Sequence, residues 1–114
     1  MGIMSSVTSV AINTTSLNVL AGLLEEFVTR PSIITVYANA ARQDIDVTII
    51  GGGAVVVDAQ ELSDRNASIL KPDDLVYQFA LTGPNDRLVM RFINRNVAAG
   101  PDNVRWVVEV QPVA

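Results

Sequence analysis

The residues of this 114-residue chain best suited to chemistry are three acidic pairs and one glycine-rich run. The pairs are Glu25 with Glu26, Asp44 with Asp46 and Asp73 with Asp74; the run is Val47-Thr-Ile-Ile-Gly-Gly-Gly-Ala54. Oxygen-rich loops bind Ca²⁺, but an EF-hand loop needs a spaced Asp/Asn ladder closed by Glu, and none of the pairs has one. Solvation of turns and strand edges accounts for them. Two carboxylates facing one cleft would suit glycoside hydrolysis, a geometry that spacing alone does not establish. The glycine run superficially matches the start of a dinucleotide-binding unit. That unit needs a helix after the glycines to hold the pyrophosphate, and a small residue three positions after Gly53. Val56 stands there and Val-Val-Val-Asp58 continues as a strand, so a hairpin tip is expected instead.

Nucleophilic catalysis lacks its partners. Ser63, Ser68 and Thr82 have no histidine to activate them, there is no Gly-x-Ser-x-Gly elbow, and the chain contains no cysteine. The absence of histidine and cysteine also removes the commonest general base and the commonest soft metal ligands. The expectation is a protein that is not an enzyme and that carries no cofactor and no metal. Trp106, Tyr77 and Tyr37 would suit a stacking platform, yet Trp106 and Tyr77 share parity with Leu and Val neighbours, which favours a core role.

Charge sets further bounds. The net charge is −4 and the basic residues are scattered, which opposes direct nucleic-acid binding. No stretch approaches the roughly eighteen apolar residues of a membrane span, and the N-terminus lacks a basic region followed by an apolar one, so a soluble, uncleaved protein without a membrane span is expected. Charged residues make up 18% of the chain, and all basic residues except Lys71 are arginine. Low charge with arginine favoured over lysine points to a surface that meets another protein.

The elements that would position these residues are mostly strands. Residues 1–16, rich in Ser, Thr and small apolar types, read as a flexible N-terminal arm or an edge strand around 7–12. Leu17, Leu20, Ala21, Leu24, Phe27 and Val28 recur with helical spacing, Ser16 is placed to cap and Pro31 to stop, so local rules predict a short helix over about 16–29. Gly22 in mid-segment and the β-rich surroundings oppose it, with 18–21 and 26–29 as alternative short strands. Residues 33–40 read as a buried strand, and 45–58 as a hairpin with a glycine tip. A crossing loop follows over 59–74, with a short strand around 67–70.

Three strands close the chain. Leu75, Tyr77, Phe79 and Leu81 share one parity, as do Leu88, Met90 and Phe92, and Val104, Trp106, Val108 and Val110; these are the expected core faces. The Gly83-Pro84-Asn85-Asp86 and Gly100-Pro101-Asp102-Asn103 tips fit hairpin turns. The opposite parity mixes arginine with aliphatic residues, so Arg91, Ile93, Arg105, Val107 and Glu109 are the candidate subunit interface, with a cross-strand Arg91–Glu109 ion pair. About seven or eight strands with regular turns make an all-β antiparallel sandwich or barrel. Its length suits a single domain over 17–114, burying roughly 60 to 70% of its unfolded surface.

Several stretches together resemble the small single jelly-roll structural proteins of bacterial viruses: Asn18-Val-Leu-Ala-Gly22, Pro31-Ser-Ile-Ile-Thr-Val-Tyr37, the tip Gly51-Gly-Gly53, Lys71-Pro-Asp-Asp74 and Asp86-Arg-Leu-Val-Met-Arg-Phe-Ile-Asn94. The resemblance spans about 18–113, rests on strand order and turn placement, and carries over no catalytic residue. It implies a jelly-roll capsid, minor-capsid or decoration subunit located in the virion, whose partners are copies of itself and other virion proteins. In that pattern Asn18 to Gly22 is extended, against the helix. The alternative is a soluble β-sandwich module for a carbohydrate or host-surface ligand, for which the Asp-rich loops are the sequence's one offering.

Overall fold

Alternating apolar side chains drive most of the chain into strands with one buried face. The computed structural model describes residues 2–23, 26–64, 69, 73–82, 85–97 and 102–113. Within them run β1 (Gly2–Val10), β2 (Thr14–Thr15), β3 (Phe27–Val28), β4 (Ser32–Ala40), β5 (Ile45–Gly51), β6 (Ala54–Glu61), β7 (Leu75–Leu81), β8 (Asp86–Asn94) and β9 (Asp102–Pro112). They form two antiparallel sheets packed face to face. The first has the order β1-β9-β4-β7, the second β2-β8-β5-β6 with β3 also on β8. Ile34, Val36 and Trp106 from the first sheet meet Val47, Met90 and Phe92 from the second in one buried core. No helix among the described residues is long and apolar enough to cross a membrane.

The pairings nest: β1 with β9, β2 and β3 with β8, β4 with β7, and β5 with β6. The chain is thus one long folded hairpin. Its tip is the Gly52-Gly53 turn, where both residues have positive φ, 60° and 84°, as the tight hairpin turn matched to strand twist requires. Two further pairings, β4 with β9 and β5 with β8, zip the folded hairpin into the two sheets.

Three sequence expectations are corrected. The described part of 16–29 holds no helix. Its hydrogen bonds are single turns, from Ala21 N to Asn18 O, Leu23 N to Leu20 O and Glu26 N to Leu23 O, while Ser16 N and Val19 N donate to Phe92 O and Met90 O. The segment is strung along the edge of β8, and Asn18 fastens it: its Oδ1 accepts Met90 N at 2.9 Å and Leu20 N at 3.1 Å. Gly22 has a φ of 79°, which no helix accommodates. Leu20 and Val28 are buried, whereas Leu17, Ala21 and Phe27 of the same helical stripe are exposed. Tertiary hydrogen bonding to β8 outweighs a weak local propensity.

The second correction concerns the closing strands. β7 to β8 and β8 to β9 are not hairpins, since each connection passes from one sheet to the other. Gly83, Pro84, Gly100 and Pro101 lie outside the described residues, as do Ala67, Ser68 and Leu70 of the expected short strand. The third concerns parity in β7. Val36 opposes Tyr77 but Tyr37 opposes Leu75, so Val76 is an extra, bulged residue. Beyond the bulge parity inverts: Leu75 turns outward with Tyr37 and is 45% exposed, while Val76 packs on the core. Tyr77 keeps its inward parity and stacks on Phe79, centroids 6.1 Å apart, but at this sheet edge it remains 44% exposed.

Candidate interaction surface

Register places the outward side chains of the first sheet in rows that run across its strands. Ile3, Glu109, Thr35 and Gln78 form one row, Ser5, Val107, Tyr37 and Leu75 the next, and Val7, Arg105 and Asn39 a third. Ile3 is 60% exposed and Val7 54%, so with Leu75 the surface carries large apolar side chains at both margins. Ile69, from the β6–β7 connection, lines a shallow groove of about 280 Å³ with Ser5, Val7, Arg105 and Val107. Beneath them Trp106 is buried, and its indole N–H donates to Thr8 Oγ1 at 3.0 Å. Burial of Trp106 in the core removes it as a stacking platform.

The five residues singled out in the sequence divide between two surfaces. Arg105, Val107 and Glu109 are successive outward positions of β9 in the first sheet. Arg91 and Ile93 face outward from β8 in the second, opposite Thr48 and Asp46 of β5. The outer faces of two packed sheets point away from each other, so the five do not form one patch and the Arg91–Glu109 pair is not made. Adjacency in sequence misled here because β8 and β9 lie in different sheets.

Arginine meets Glu26 and both members of the Asp44–Asp46 pair. Arg95 follows β8 and reaches Asp46 in a bidentate contact, Nε to Oδ2 at 2.8 Å and Nη2 to Oδ1 at 3.2 Å. It also meets Asp44 at 3.4 Å and Glu61 at 3.3 Å. This clasp ties β8 to β5 and β6, and the hydrogen bond to Asp46 holds the guanidinium pKa above its ordinary value. Glu26 accepts Gly22 N on Oε1 and Arg87 Nε on Oε2, both at 2.8 Å, and Arg87 lies 5.9 Å from the centroid of the Phe27 ring. The Gly22 N–H first and Arg87 second pull the Glu26 carboxyl below its ordinary value. Asp74 is buried against Asn39, whose Nδ2 donates to it at 3.2 Å. Glu25 lies outside the described residues. Among the described residues no three His, Cys, Asp or Glu side chains gather as a metal-holding group. These contacts serve to join strands.

No protein-family model, no curated protein and no solved structure matches this chain. The physical reading of the surface therefore rests on its own geometry.

Sequence reasoning missed two features. The Arg95 clasp was signalled faintly by Asp46, a charge inside the apolar alternation of β5, with Asp44 two residues before it. The outward row Ile3, Ser5, Val7 was missed because the N-terminal strand was centred on 7–12, whereas β1 spans Gly2–Val10 and is nine residues long.

Proposed function

We propose that this chain is a virion structural subunit: a self-associating capsid, minor-capsid or decoration protein without catalytic activity, working with copies of itself and other virion proteins. The observation that carries the proposal is the nested strand order. Pairings of β1 with β9, β2 and β3 with β8, β4 with β7 and β5 with β6 support a jelly-roll reading, the double-sheet fold used by viral capsid proteins and also by lectins. The apolar margins of the first sheet support a building block over a lectin. Ile3, Val7 and Leu75 are exposed aliphatic groups suited to a neighbouring protein, whereas a sugar site needs convergent polar groups in a concave pocket.

The test is electron microscopy and sedimentation of the purified protein, alone and mixed with capsids. Shells, rings or saturable capsid binding are expected. A monodisperse monomer that forms no shell or ring and has no capsid affinity refutes the proposal. Saturable binding on a glycan array, with no assembly, would replace it with the binding-module alternative.

A further inference from the structure

The edges of the two sheets are unequal. β6 is broken by two register shifts and carries Asp58 and Glu61. β7 has its bulge at Val76, and β2 and β3 are two residues each. Bulges, charges and short strands are the devices that keep an edge from pairing with another chain. β1 has none of them. Its nine residues contain no charge and no proline, its register against β9 is unbroken from Gly2↔Val110 to Val10↔Asp102, and among the described residues it pairs with β9 alone.

We propose that β1 is a self-pairing edge: two copies of this chain join antiparallel through β1 about a two-fold axis at Ser5, merging their four-stranded sheets into one of eight strands. The inference rests on the virion-subunit reading for its biological setting. The register follows from the side chains. A two-fold at Ser5 sets Ile3 opposite the partner's Val7, and Val7 opposite the partner's Ile3, so both exposed aliphatic groups gain an apolar cross-strand partner. Shifting the axis to Ser6 sets Ile3 against Ser9 and Val7 against Ser5, leaving both without one. The flanking charges agree. Glu109 neighbours Ile3 and Arg105 neighbours Val7 within each subunit. Each Ile3–Val7 pair is therefore bracketed by Glu109 on one side and the partner's Arg105 on the other, opposite charges in one row. The seam is only as long as β1, about 30 Å, and buries less than the roughly 1,200 Å² of a free-standing interface. Reversible pairing, reinforced by further contacts in an assembly, is the expected behaviour.

Because the chain contains no cysteine, a single introduced one reports the seam. At the two-fold, Ser5→Cys puts two thiols on directly opposed strand positions, within disulfide reach. Ser9→Cys puts them about 27 Å apart, eight residues of offset at about 3.4 Å each. Mild oxidation of the full chain should yield covalent dimer from Ser5→Cys and little from Ser9→Cys. Adding Val7→Lys should slow Ser5→Cys crosslinking about tenfold, since two apolar cross-strand pairs are lost and a charge enters the edge. Ile3→Lys replaces it if the Val7 variant loses its native Trp106 fluorescence. Equal crosslinking at the two positions, none at Ser5→Cys, or no effect of lysine overturns the proposal. Shells without a Ser5→Cys crosslink overturn this seam and leave the virion reading standing. A specific Ser5→Cys dimer without shells, rings or capsid affinity does the reverse.

Discussion

Substituting Gly51 with alanine probes how tightly the two sheets close on each other. Gly51 ends β5 in the second sheet, and a Cβ built there would lie 2.7 Å from Phe79 Cε2 and 3.2 Å from Leu81 Cδ2, both carried by β7 in the first sheet. The Phe79 ring is packed against the core and stacked on Tyr77, so it cannot swing aside freely. Overpacking of this kind destabilises by about 1–3 kcal/mol. Restricting the unfolded chain returns about 0.4–1 kcal/mol, leaving a net loss of about 1–2 kcal/mol. At this chain length that lowers Tm by roughly 4–8 °C. The assay is thermal unfolding of Gly51→Ala, Phe79→Leu and the double variant. Phe79→Leu removes the ring edge, so Gly51→Ala should destabilise far less in that background, giving a coupling energy of about 1 kcal/mol. Gly53→Ala is the control, because nothing lies within 4 Å of its Cβ and its penalty comes from a φ of 84° alone; Phe79→Leu should not rescue it. A neutral Gly51→Ala, or an equal loss in both backgrounds, would refute the close approach.

Gly22→Ala distinguishes the turn segment from a helix by sign: at a φ of 79° alanine should destabilise by about 1 kcal/mol, whereas in a helix it would stabilise by a similar amount. Phe92→Ala removes a fully buried ring from β8 and should lower stability by about 3–5 kcal/mol, readable as a lower denaturation midpoint with the slope unchanged. Glu26→Gln tests the Gly22–Arg87 site through pH. The folded carboxyl lies below its ordinary value of 4.5, so its contribution is complete above that value and is lost as pH falls through the lower folded one. The Tm gap between wild type and Glu26→Gln should therefore be widest near neutral pH and close on acidification; a gap independent of pH would contradict the assignment.

Legibility in the sequence varied with how far each feature depends on distant residues. The buried faces of β8 and β9 could be read residue by residue, because alternation in a strand is local and no bulge interrupts Leu88, Met90 and Phe92 or Val104, Trp106 and Val108. The glycine tip was equally readable, since two consecutive positive φ values favour glycine wherever the hairpin sits. β7 was misread at Leu75, because a bulge opposite β4 inverts parity without a local sign. The segment after Ser16 was misread because Leu17, Leu20 and Leu24 fall on a helical stripe, while Asn18 and the free edge of β8 offered its backbone stronger partners.

The five candidate interface residues divide between two sheets for a related reason. Arg91 with Ile93, and Arg105 with Val107 and Glu109, were each correctly read as outward-facing, yet outward from which sheet is undetermined by either strand alone. By itself the amino-acid sequence determined that 33–40, 45–58 and the three closing stretches are strands, which faces of β8 and β9 are apolar, and that no histidine or cysteine is present to supply chemistry, because these depend on residue type and a period of two. Only the tertiary structure decided that β7, β8 and β9 switch sheet at each step, that Arg95 gathers Asp44, Asp46 and Glu61, and that β1 among the described residues pairs with β9 alone. Those outcomes come from long-range pairing, in which each strand's partner is chosen by the burial of both sheets together.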